Sequence, residues 1–174
     1  MSEVRATERI RRVLHPAYSA DLPARDTERL RAMKDECLQL ETAVSYYRRL
    51  AQGRVEILVG ERDRRARGGS IEELIAQLPT ILAGDGGRPD AVNARFADAE
   101  APVIELQFDG GEESLVSDDR LAMASQLPAS ELEGAIERLR SLESALSGTR
   151  RSLHDVIDRI EHELAARQAT GALG

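Results

Sequence analysis

Residues Glu41 to Glu56 read ETAVSYYRRLAQGRVE, and Glu143 to Asp158 read ESALSGTRRSLHDVID. Laid on each other without a gap, Glu41 falls on Glu143, Ser45 on Ser147, Arg48 on Arg150, Arg49 on Arg151, Gln52 on His154 and Glu56 on Asp158. One pattern therefore occurs twice: acid, three residues, Ser, two residues, Arg, three residues, Gln or His, three residues, acid. Steps of four, three, four and four keep these side chains on one side of a helix. Working outward, the apolar positions around the first copy run Leu30, Met33, Cys37, Leu40, Val44, Tyr47, Ala51 and on to Leu58. Around the second they run Leu139, Leu142, Leu146, Thr149, Leu153, Val156 and Ile160. Both alternate in steps of three and four, the pattern of a coiled-coil seam. The expected fold is all-α: two long helices in an antiparallel coiled-coil hairpin, with short accessory helices and a flexible central connector.

In each copy the polar motif sits one position after the seam, about 100° around the helix. It forms a ribbon flanking the packed stripe in the same place on both helices. Flanking positions of coiled coils ordinarily carry solvated ion pairs, so a single charged ribbon would say little. A Ser and an Arg–Arg pair repeated at one register say more. Glycine accompanies both copies, Gly53 after Gln52 and Gly148 after Ser147. Each costs about 1 kcal/mol in a helix interior relative to Ala, which calls for a compensating reason. Close approach of a bulky ligand is one such reason, and tight helix–helix packing is the other.

The ribbon's chemistry suits a guanine nucleotide. A carboxylate accepts from the N1–H and N2–H₂ edge of guanine, and a guanidinium stacks on a base or forks onto phosphate. Ser, Gln and His add short hydrogen bonds. Two ribbons on paired helices suit a ligand that is itself twofold symmetric. The spacing resembles the repeated signature of the RsiG-type anti-sigma factors of actinobacteria, E-x₃-S-x₂-R-x₃-Q-x₃-D, and the context SYYRRLAQGRVEIL resembles that family around its first signature. Two departures stand out: Glu56 where the signature has Asp, and His154 where it has Gln.

The resemblance implies a protein that holds a WhiG-like sporulation sigma factor while cyclic di-GMP is bound, the ligand lying as an intercalated dimer along the coiled coil. Carried onto this chain, it makes Glu41, Ser45, Arg48, Gln52 and Glu56 one half-site, and Glu143, Ser147, Arg150, His154 and Asp158 the other. The competing reading is a structural coiled-coil adaptor whose Arg and Glu residues simply pair.

The remaining sequence fits a binding protein. A chain of 174 residues with 3% aromatic content and no Trp favours long packed helices over a compact aromatic core. A net charge of −7 argues against general DNA binding, although a local Arg ribbon can still hold a nucleotide. Cys37 is the only cysteine and falls in the seam, and His15, His154 and His162 are scattered, so no metal is expected. No signal peptide or membrane-length apolar run is present, which leads to the expectation of a cytoplasmic protein. Nothing pairs a nucleophile with a base or cradles a phosphate in a glycine loop, so no enzyme is expected.

Residues 1–174 read as one coiled-coil domain. Residues 1–25 hold a short N-terminal helix and a connector, and 26–67 the long helix of copy 1, with Asp26 as N-cap and Gly68–Gly69 as stop. Residues 68–129 are connector, with a short helix over Ile71–Leu78 behind a Ser70/Glu73 capping box. That connector also holds a short strand over Val103–Phe108, and mobility is expected across 84–128. Residues 130–168 carry copy 2 on the other long helix, opened by a Ser130/Glu133 capping box and frayed from Gln168.

Overall fold

The computed structural model describes residues 6–72, 75, 76, 78, 79 and 124–171. Among these there is no strand, and three α-helices dominate: α1 (Ala6–Leu14), α2 (Thr27–Arg67) and α3 (Ala129–Ala169). Short 3₁₀ turns at Pro16–Tyr18, Leu22–Ala24 and Ala124–Gln126 join them. The expected strand at Val103–Phe108 and the expected mobile stretch lie outside the described residues. Of the short helix expected over Ile71–Leu78, the described residues 71, 72, 75, 76 and 78 are helical, as is Pro79, one position past the expected end.

The ends of α2 follow from sequence. Asp26 caps it, its Oδ1 accepting from the Arg29 backbone N–H at 2.6 Å. At the other end Gly68 takes φ +68°, a left-handed conformation that glycine adopts without steric cost. Gly69 N–H then donates to Arg64 O at 3.0 Å and Gly68 N–H to Arg65 O at 3.2 Å, satisfying two terminal carbonyls. The start of α3 corrects the sequence expectation. Leu132 N–H donates to Pro128 O at 3.0 Å, so the helix opens at Ala129 and Ser130 is already its second residue. Ser130 makes no capping bond, and Glu133 instead lies 3.9 Å from Arg62. The far end runs to Ala169 rather than fraying at Gln168, with the Thr170 hydroxyl donating to Ala166 O and Gly171 at φ +66°.

The chain divides into two compact units. Unit 1 takes the described residues up to Ser45 together with those from Leu146 onward. Its α2 and α3 segments run antiparallel: Lys34 pairs with Glu161 at 2.7 Å and Glu41 with Arg150 at 2.8 Å, so partner numbers fall as α2 numbers rise. Leu30, Met33, Cys37, Leu40, Ala43 and Val44 are buried there, as are Leu146, Leu153, Val156, Ile157 and Ile160. Val13 and Leu22 add to this core from α1 and the second 3₁₀ turn. Glu36 ties α1 down by pairing with Arg9 and Arg12 and accepting from the Tyr18 hydroxyl at 3.0 Å. Burial first, then the neighbouring Cys37 and Glu36, pushes the Tyr18 hydroxyl pKa up, and burial raises the Cys37 thiol to about 11. Cys37 is therefore a protonated core side chain at neutral pH. Arg167 holds the connector from α3, donating to Leu22 O at 3.1 Å and Pro23 O at 3.2 Å.

Unit 2 takes the described residues between Tyr46 and Ala145. It too is antiparallel, with Arg48 on Glu143 at 3.3 Å and Arg62 near Glu133. Its buried apolar residues include Ala51, Leu58, Leu132, Ala135, Ile136, Leu139 and Leu142. The expected seam position Tyr47 is only half-buried, as is Thr149 in unit 1. At one end of this unit Glu61 is 1% exposed and receives Arg64 at 2.7 Å and Arg65 at 2.6 Å. Arg65 also donates to Leu127 O at 2.7 Å and Ala124 O at 2.8 Å. The donations from Arg64 come first in holding the Glu61 carboxyl below its ordinary pKa, against the opposing effect of burial.

Candidate functional site

The ten motif residues divide between the units. Unit 1 holds Glu41 and Ser45 of copy 1 with Ser147, Arg150, His154 and Asp158 of copy 2; unit 2 holds Arg48, Gln52 and Glu56 with Glu143. In both units the acid that opens one copy meets the arginine of the other.

Glu41 in unit 1 is the more enclosed acid, its side chain 17% exposed. A single carboxylate oxygen, Oε1, accepts from Ser45 Oγ at 2.7 Å and from Arg150 Nε at 2.8 Å. Arg150 Nε also reaches Ser45 Oγ at 3.0 Å, closing a three-membered cluster. His154 Nε2 stands 3.3 Å from the same oxygen, out of solvent, at ion-pair distance and without an aligned hydrogen bond. Burial alone would raise the Glu41 pKa. Donation from Ser45 and Arg150, with the positive charge of Arg150 and His154, outweighs it and leaves the carboxyl below its ordinary value. Ser147 is half-buried, whereas Asp158 is exposed and makes no ion pair among the described residues.

In unit 2 the arrangement is looser. Arg48 Nη1 donates to Glu143 Oε1 at 3.3 Å and to Gln52 Oε1 at 3.4 Å, and Gln52 Nε2 passes on to Glu56 Oε1 at 3.4 Å. The chain Arg48–Gln52–Glu56 follows from the i, i+4 spacing of the motif. Burial raises the Glu56 pKa above its ordinary value, and donation from Gln52 only partly offsets this. Arg48 Nε is shielded from water yet has no acceptor.

The two glycines part company. Gly53 is buried. Gly148 faces open space, with no atom within 4 Å of where a Cβ would stand. Helix packing therefore does not explain Gly148.

Sequence reading found the ribbon and expected the antiparallel direction, but not the cross-pairing, because the axial stagger of one helix against the other is not written in either motif. It also missed the Glu61–Arg64–Arg65 cluster, since ERDRRAR reads as an ordinary solvated charge run. Among the described residues no group of three or more His, Cys, Asp or Glu could hold a metal ion, and no helix is long and apolar enough to cross a membrane.

A protein-family model described as RsiG-like matches residues 16–82. The match shows that this part of the chain is similar to that family. It spans all of motif copy 1 and none of copy 2, so the second copy rests on its own register with the first. No curated protein matches the chain.

Proposed function

We propose that this RsiG-like chain is a cyclic di-GMP-dependent anti-sigma factor that sequesters a WhiG-like sporulation sigma factor in the cytoplasm, by binding rather than catalysis. The observation that carries the reading is the exchange of partners between the motif copies: Arg150 of copy 2 on Glu41 of copy 1, and Arg48 of copy 1 on Glu143 of copy 2. The exchange sets equivalent groups of the two copies against each other, as a site for a twofold ligand requires. In the proposed role the carboxylates take the guanine edges, the arginines take base or phosphate, and the ligand is held as a dimer. The shielded Nε of Arg48 and the open backbone at Gly148 fit a ribbon whose contacts are completed by a ligand.

Control then follows from linkage. Ligand that favours the sigma complex stabilises it, and a falling ligand level releases the sigma factor. The same ion pairs favour a second reading, a coiled-coil adaptor, because they leave both motif acids partnered without any ligand. Measuring sigma affinity at zero and saturating cyclic di-GMP separates the two. The expected result is a tightening of about 5- to 150-fold, matched by an equal tightening of the nucleotide when the sigma factor is present. Equal sigma affinity under both conditions would favour the adaptor and overturn the switch.

A further inference from the structure

The motif arginines are each held by a carboxylate, Arg48 by Glu143 and Arg150 by Glu41. Their pairs are neutral as they stand, so they add no net attraction for an anion. The residue after each is different. Arg49 makes no ion pair or hydrogen bond among the described residues, and its Nε is shielded from water without an acceptor. A donor withdrawn from water without a partner is costly enough to need an explanation. Its neighbours one helical turn away, Ser45, Tyr46, Gln52 and Gly53, include no acid. Arg151, at the same register in copy 2, touches only the Ser147 carbonyl, at 3.3 Å through Nε. It forms no ion pair with Asp155, although that acid stands four residues on.

We propose that Arg49 and Arg151, which lie outside the five-position motif, are the anion-binding groups of the ribbon and take phosphodiester oxygens of the nucleotide. This rests on the cyclic di-GMP reading above and refines it: the motif would read guanine while the arginine beside it supplies the charge. Each lies about 100° past a motif arginine, on the outer edge of the ribbon, within its own unit. A guanidinium fork matches phosphate geometry and stays charged at any working pH. In a chain of net charge −7, cations without a carboxylate partner are where an anion can be held.

Calorimetry of the full chain with cyclic di-GMP, at low and high salt, tests this with Arg49→Gln, Arg151→Gln and the charge-keeping Arg49→Lys. Each Gln variant is expected to bind about tenfold or more weakly and with a shallower salt dependence, at unchanged helical circular dichroism. Arg49→Lys is expected to recover the salt dependence and part of the affinity. If the wild type binds and both Gln variants match it in affinity and salt response, the inference falls while the ligand reading stands. A wild type that binds no cyclic di-GMP overturns both. A Gln variant that loses helicity is judged by Arg49→Lys, whose failure to restore salt dependence also counts against the proposal.

Discussion

The acid that opens each motif copy meets a cation in both units, but the grip differs. Glu41 concentrates three groups on one oxygen, with Arg150 at 2.8 Å and Ser45 at 2.7 Å. Glu143 is 32% exposed and meets Arg48 at 3.3 Å. One letter of the pattern also differs. In copy 1 the fourth position is Gln52, which draws Arg48 along its own helix toward Glu56. In copy 2 it is His154, which crosses to Glu41 instead. Identical spacing thus does not give identical strength. The Arg48–Glu143 contact is the longer of the two, and its acid is the more exposed.

The largest expected effect tests that contrast directly. Glu41→Ala strips the acceptor from Ser45, Arg150 and His154 together and should cost about 1.5–3 kcal/mol of stability in urea unfolding, the range for hydrogen bonds to a charged group. Glu143→Ala loses a half-exposed ion pair and should cost no more than about 1 kcal/mol. Equal losses would erase the distinction.

A smaller effect has opposite signs in the two units. The Glu41 carboxyl is depressed, so its stabilisation is complete above the unfolded value of about 4.3 and is lost as pH falls through the lower folded value. The Glu56 carboxyl is raised, so its ionisation subtracts stability as pH climbs from about 4.3 through the folded value, and the cost persists above that. Glu56→Gln should therefore be neutral or stabilising at pH 7, while Glu41→Gln should be destabilising there and lose part of the acid-side decline. Thermal melts from pH 2.5 to 7 read both, and parallel profiles for the two variants would contradict the assignment.

The smallest effect concerns His154, whose Nε2 stands 3.3 Å from Glu41 Oε1 without an aligned hydrogen bond. His154→Gln should change stability in urea unfolding by no more than about 0.5 kcal/mol. A loss as large as that of Glu41→Ala would mean that the imidazole is a main support of the acid.

Much of the fold could be read from periodicity and end signals. The seam positions Leu30, Met33, Cys37, Leu40, Val44, Leu139, Leu142, Leu146 and Leu153 are buried as a three–four repeat requires. Asp26 and the Gly68–Gly69 pair end α2 where their chemistry dictates. Ser130 misled because a cap is set by which N–H groups are orphaned, and Pro128 O already serves Leu132. For the site, residue types and register were legible on each helix. The partners were not, because an ion pair such as Arg150–Glu41 joins residues 109 positions apart and depends on the axial stagger between the two helices.

Arg65 has a consequence for how distant parts of the chain are held. It grips Leu127 O and Ala124 O while Arg64, on the same Glu61 carboxylate, donates to Gly69 O at 2.6 Å. A single buried carboxylate thus fastens Gly69 and Ala124, 55 positions apart in the chain, at one point, like the two halves of a clasp.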